Sequence, residues 1–198
     1  MAKPQTYIFF GRSGCGKGTQ AKLIKEYLEK HDSKREALYV ETGAKFREFV
    51  ERNNYSSLLV KEVIDAGNLL PAFLPVWLWT DFFVNHLSGD ENLVLDGLSR
   101  RVIEAPVLDS ALRFYNREKP YVIVINVSEK WAKDHLLARG RHDDSGADID
   151  RRFSWYKSDV LPTLEFFRKN PYYKFIEING EQTIEEVNKE VMNKLGFS

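Results

Sequence analysis

The chain has 198 residues, 29 of them basic and 29 acidic, for a formal net charge of zero. That length suits one domain, or one core with small inserted lobes. The balanced charge gives no reason to expect nucleic acid or an anionic membrane as the main partner, so any anion binding must be local.

The first predicted element is the strand "TYIFF" (residues 6–10), and the turn that follows carries the strongest signal in the sequence. Gly11-Arg12-Ser13-Gly14-Cys15-Gly16-Lys17 satisfies G-x-x-x-x-G-K between a strand and a helix. Amide groups of such a turn point into one concavity, the helix adds the positive end of its dipole, and the lysine supplies a mobile charge for outer phosphates. The general pattern continues with Ser or Thr, whereas here Gly18 follows and the hydroxyl comes at Thr19. A tight glycine turn with a surface lysine is the bland alternative; motif and context together favour a phosphate loop. Cys15, the only cysteine, excludes an intrachain disulfide and fits a reducing compartment. It is small enough for its loop, which is the plain reading; the lesser one is that its place at a helix start lowers its pKa and makes it oxidisable.

The second strand, "ALYV" (37–40), leads into "ETGAKFREFVE". Thr42-Gly43 opens a helix there and Arg47 lies about one turn in, near the anion-attracting end; an ordinary capped surface helix has the same pattern. The aromatic helix "VWLWTDFFVNHL" (76–87) reads as core and lobe packing rather than a base-stacking platform. The longest apolar stretch, "LLPAFLPVWLW", is too short to span a bilayer and holds two prolines. No signal peptide precedes the first strand, so a soluble, cytoplasmic protein is expected.

The third strand, "NLVLD" (92–96), ends in Asp96, with Gly97 and Arg100 just beyond. An aspartate there either caps the following turn or holds magnesium through water, and the phosphate loop beside it favours the metal. "YVIVINV" (121–127) and "YKFIEI" (173–178) complete the strand candidates. Each strand is followed by a segment of helical period, which predicts a parallel sheet covered on both faces, with ligand at the carboxyl ends of the strands. The segment 140–150, "GRHDDSGADID", has no core-facing apolar pattern and is predicted to be a mobile loop over the site. Around its Asp143-Asp144 stand Arg139, Arg141, Arg151 and Arg152, which suit either a bidentate phosphate clamp or a solvated charge cluster.

Taken in order, GRSGCGKGTQ, ETGAKFR, AGNLLP, LDGLSR, ARGRHDD and Arg152 resemble the adenylate kinases within the nucleoside monophosphate kinase family, over nearly the whole chain. The Gly-Lys-Gly-Thr ending, odd for a general phosphate loop, is what that family has. The resemblance implies an α/β fold, a five-stranded parallel sheet with helices on both faces. It implies a single P-loop kinase domain over residues 1–198, with a monophosphate-binding lobe at 42–71 and a short lid at 140–150. A lid without cysteines excludes a structural zinc. The implied reaction is reversible, Mg2+-dependent phosphoryl transfer from ATP to AMP, giving two ADP in a monomer. Its catalysis is positioning and charge neutralisation, with no covalent nucleophile.

By the same resemblance, Lys17 and the amides of Gly14, Cys15, Gly16, Gly18 and Thr19 would bind ATP, with His135 and Arg139. Thr42, Gly43, Arg47, Gly67, Gly97, Arg100 and Glu104 would surround AMP. Arg139, Arg141 and Arg152 would close with Arg100 and Lys17 on the transferring group, and Asp96 would lie near magnesium.

Three positions depart from the family. Leu98-Ser99 replaces Phe-Pro, which should loosen that turn. His135 stands where an arginine usually stacks on the ATP adenine. Glu104 stands where a glutamine reads the edge of AMP, and an ionised glutamate only accepts hydrogen bonds, which suits the paired donors of guanine better. A kinase for GMP and a degenerate nucleotide-binding protein are therefore the alternatives. The complete set of Lys17 and phosphate-facing arginines speaks against the degenerate binder.

Overall fold

A computed structural model describes residues 3–140 and 146–197. Five strands, β1 (Thr6–Gly11), β2 (Ala37–Glu41), β3 (Asn92–Asp96), β4 (Tyr121–Asn126) and β5 (Lys174–Asn179), pair in parallel in the order β2-β3-β1-β4-β5. They are the strands expected from the apolar runs. From β1 the chain builds one side of the sheet and then returns to build the other, so a crevice opens beyond the carboxyl end of β1.

Both faces are buried, which is why the strands read as continuous apolar runs. Ile8, Phe10, Leu93, Leu95, Val122 and Val124 meet Leu108 and Leu112 of α5 (Ala105–Phe114) and Phe167 of α8 (Leu161–Lys169). On the opposite face Tyr7, Phe9, Val94, Ile123 and Ile125 meet Ile24 of α1 (Lys17–His31) and Val191 of α9 (Ile184–Leu195). At the amino ends of the strands, buried Arg117 ties the sheet together. Its Nε donates to Thr6 Oγ1 at 3.0 Å and its Nη2 to the carbonyls of Gln5 and Glu91 at 2.9 and 2.5 Å.

Two insertions flank the crevice. Between β2 and β3 run α2 (Thr42–Val50), α3 (Tyr55–Asp65) and α4 (Phe73–His86), with a small core of their own formed by Phe46, Phe49, Val60 and Leu78. The aromatic helix packs as expected: Trp79 and Phe83 of α4 join the main core, and Trp77 meets the edge of Phe49. Between β4 and β5 come α6 (Glu129–Arg139) and α7 (Gly146–Trp155), the latter passing through a π-helical turn (Tyr156–Val160) into α8.

The expected loop at 140–150 is corrected over its described part. From Gly146 the chain is helical, and Ile149 is fully buried with Ala132, Leu136 and Phe153. The apolar pair Ile149 and Phe153 has i,i+4 spacing that straddles the end of the segment, so its pattern is invisible within the segment alone.

Candidate active site

The turn Gly11–Gly16 sits at the carboxyl end of β1 and delivers Lys17 as the first residue of α1. Gly14 has φ +86°, and a Cβ there would lie 2.6 Å from the Ala132 carbonyl oxygen and 2.8 Å from Leu136 Cγ. Glycine thus allows both the left-handed backbone and the close approach of α6. Arg12, inside the same motif, is held away by an ion pair with Glu129 at 3.0 Å and lies 4.8 Å over the Tyr156 ring.

Cys15 does not support its lesser reading as an oxidisable thiol. It is buried behind the turn, and burial pushes its thiol pKa up even though Lys17 works the other way. Loss of solvent outweighs the helix start, which runs against an oxidisable thiolate.

The turn opens into a cleft of about 640 Å³. Gly14, Gly16, Lys17, Gly18 and Thr19 line one side, and Thr42, Gly43, Arg47 and Gly67 line the other. Asp96, Gly97, Arg100 and Glu104 form its floor from the end of β3, and His135, Arg139 and Arg152 reach it from the second insertion. The fold therefore gathers every described residue predicted for the site except Cys15. Arg141 lies outside the described residues, as do Asp143 and Asp144.

Basic side chains outnumber acidic ones in this cleft although the chain as a whole is neutral. Asp96 is 5% exposed and accepts from the Tyr39 hydroxyl at 3.2 Å. Burial pushes its carboxyl pKa up, and Lys17 works against that shift. Among the described residues no group of three or more His, Cys, Asp or Glu side chains could hold a metal. A lone hard carboxylate is compatible with a small cation that keeps most of its water. Arg100 Nε donates to the Gly97 carbonyl at 3.0 Å, and its guanidinium lies 5.8 Å over the Trp155 ring. Arg152 is only 9% exposed. The buried hydroxyl of Thr42 finds no hydrogen-bond partner among the described residues, an unmet polar group in the wall of a cleft.

The three departures take definite forms. His135 lies flat on Trp131, ring centroids 3.4 Å apart at 15°, with its Nδ1 2.8 Å from the Trp131 carbonyl. One face of the imidazole is thus already covered. Glu104 lines the cleft at 2% exposure, but its Oε2 accepts from the Arg100 amide at 2.7 Å, and the Arg101 amide also stabilises the charge. Burial still moves its pKa upward. Ser99 has φ +58°, a conformation closed to proline, so the turn is a different turn and not a loosened version of one built on proline.

Several residues of the cleft carried no separate signal in the sequence. Glu41 was part of the ETG motif without being singled out, yet its Oε1 accepts from Arg47 Nη2 at 2.9 Å and its Oε2 from the Tyr39 hydroxyl at 3.2 Å. Trp155 lines the cleft and donates from Nε1 to the Gly67 carbonyl at 3.1 Å, tying the second insertion to the first. The ionisable motif neighbour could have been found from its place beside Thr42. The tryptophan could not, because its partner is 88 positions away.

Residues 9–172 match the family model described as adenylate kinase. The chain is 30% identical over 190 residues to the adenylate kinase of Corynebacterium aurimucosum, spanning 96% of this chain and 98% of that protein. It is 29% identical over 189 residues to adenylate kinase 1 of a Nostoc species, spanning 96% and 97% respectively. It is 30% identical over 191 residues to the adenylate kinase of Azobacteroides pseudotrichonymphae, spanning 94% of each.

Proposed function

We propose, from the premise that the chain belongs to the adenylate kinase family and is a nucleoside monophosphate kinase, how its cleft carries out the transfer of a phosphoryl group between ATP and AMP. Lys17 and the amides of the turn hold the phosphates of ATP, with the dipole of α1 behind them. Adenine of ATP stacks on the uncovered face of His135, making a third layer on Trp131. Arg47 and Arg100 hold the phosphate of AMP, Gly67 and Thr42 border its base and ribose, and the Thr42 hydroxyl gains its missing partner there.

Arg139 and Arg152, with Arg141 from outside the described residues, neutralise charge that spreads over the equatorial oxygens as the acceptor oxygen attacks in line. No side chain forms a covalent bond. What the chain supplies is alignment of two anions that would otherwise repel, in a site from which water is excluded when occupied. Asp96 fits the water-mediated magnesium that adenylate kinases use with ATP: it is an oxygen donor beside Lys17 whose raised pKa a cation would bring back down. When bound, the ion neutralises charge on the ATP phosphates.

The observation that carries this reading is the convergence of Lys17, Arg47, Arg100, Arg139 and Arg152, drawn from distant parts of the chain, on one cleft with an unmet hydroxyl in its wall. AMP leads as acceptor over GMP because Glu104 does not offer a bare pair of acceptors: one of its oxygens is already engaged by the backbone. The test is ADP formation from ATP and magnesium with AMP, GMP, CMP and UMP in parallel. Turnover with AMP above the others is expected. In Lys17→Ala, loss of one preorganised contact should cost about 3 kcal/mol of barrier, a hundredfold or more in rate, with the fold retained. Near-normal turnover of that folded variant would sink the assignment.

A further inference from the structure

We propose that the Glu41 carboxylate is an internal occupant of the arginine site for the acceptor's phosphate, which a phosphate monoester must displace in order to bind. The inference rests on the reading of Arg47 and Arg100 as holders of that phosphate. Around Gly43 three charged groups converge: a Cβ built there would lie 3.3 Å from Arg47 Nη1, 3.9 Å from Arg100 Nη2 and 3.9 Å from Glu41 Oε1. All three side chains line the cleft. An anion is thus already present beside the cations that would receive the substrate's anion, and it engages Arg47 Nη2 at 2.9 Å.

The arrangement is built for exchange rather than for permanent pairing. Arg47 is about half exposed, so its pair with Glu41 lies in the range where an ion pair contributes modestly. A phosphate dianion brings more charge and more acceptor oxygens than a carboxylate, so it can engage Arg47 and Arg100 together. On displacement the other Glu41 oxygen stays 3.2 Å from the Tyr39 hydroxyl, whose single proton it shares with Asp96 at the same distance. Burial raises the Glu41 pKa, but the bonds from Arg47 and Tyr39 prevail and hold it below the usual carboxylate range, so the occupant is charged at neutral pH. The consequence is weaker binding of the acceptor, because only the fraction of molecules with Arg47 released is competent.

The test compares wild type with Glu41→Gln, which keeps size and removes the charge, and with Glu41→Ser, which vacates the space. The affinity for AMP without ATP is read by calorimetry, and KM for AMP, KM for ATP and kcat are read by turnover. Removing the occupant should lower both Kd and KM for AMP by about twofold to fivefold, the range of a partly exposed ion pair. KM for ATP should stay within about the scatter of the assay and kcat should change less than KM does. Competitive inhibition by inorganic phosphate against AMP should strengthen in step. If KM for AMP is unchanged or rises in the folded variants, Glu41 orients Arg47 instead of competing with substrate, and the inference is overturned. Arg47→Ala separates this failure from a deeper one. It should raise KM for AMP by about tenfold or more if the arginine holds the phosphate. No effect there would overturn the underlying reading of the site.

Discussion

Two buried charged residues show how position decides what a charge does. Arg117 lies at the amino ends of the strands, far from the cleft, and spends its donors on Thr6, Gln5 and Glu91. Arg117→Met keeps much of the volume but takes the Arg117 donors from the Thr6 hydroxyl and the Glu91 carbonyl, at about 1–3 kcal/mol for each group that water cannot reach, while the Gln5 carbonyl keeps the Leu93 amide. For a chain of this size a loss of about 3 kcal/mol lowers the melting midpoint by roughly 6–12 °C, while kcat of the folded fraction should be unaltered. A calorimetric scan beside an activity assay checks both halves. Glu104 is the opposite case, a buried acid whose neighbours include the substrate cleft. In Glu104→Gln the amide oxygen can keep the Arg100 bond while the amide nitrogen gives the cleft a donor that the carboxylate lacks. Correcting one poorly matched buried group is worth about 1–3 kcal/mol, so kcat/KM with AMP should rise about tenfold, and any use of GMP should fall. No change with either acceptor would mean that the base is read elsewhere.

Among the elements, the turn between β3 and α5 concentrates strain. Gly97 at φ +69° is followed two residues later by Ser99 at φ +58°, and the Ser99 hydroxyl is buried without a partner among the described residues. A left-handed serine costs about 1–2 kcal/mol relative to a favourable conformation, so Ser99→Gly should stabilise by about 1 kcal/mol. Ser99→Pro, which restores the residue of the resembled family, cannot adopt this φ and should destabilise by about 3 kcal/mol or more. Chemical denaturation of the two variants would show opposite signs; equal and small effects would mean that the turn relaxes freely. Because Arg100 leaves this turn and reaches the cleft, the proline variant should also lose affinity for AMP. Farther along, α7 holds to the body through Ile149 and Phe153, and Trp155 at its end reaches Gly67 across the cleft. One neutral hydrogen bond thus ties the two insertions together, and salt does not screen it as it would an exposed ion pair.

At the scale of the molecule, the cleft is one continuous space bounded by the phosphate turn, the first insertion and the second. A compound joining two adenosines through five phosphates should occupy both nucleotide positions at once. It should raise the melting midpoint more than ATP or AMP alone at equal concentration, since its lower Kd gives a larger ratio of ligand to Kd, and a ligand confined to the native state contributes about 4 kcal/mol at 1,000 times its Kd. Equal shifts for the bisubstrate compound and ATP would exclude two adjoining sites. Most of the residues that line the cleft are named only through the family resemblance, whereas local sequence was enough to determine the five strands, the parallel sheet and the glycine turn before Lys17. Each of those is written in short-range patterns: apolar runs, glycines at fixed spacing, and charged residues at the ends of strands. What only the tertiary structure decided depends on partners remote in the chain. Cys15 is a buried thiol with a raised pKa because the turn folds over it, Ile149 is core because α6 lies beneath it, and Ser99 takes a conformation no propensity would suggest. Glu41 stands beside Thr42 in the sequence, but its partners are set by β2, which places it within reach of Tyr39 and level with Asp96 on the neighbouring strand. Burial and charge pairing are properties of the assembled space, and a carboxylate's meaning changes with the cation that the fold sets opposite it.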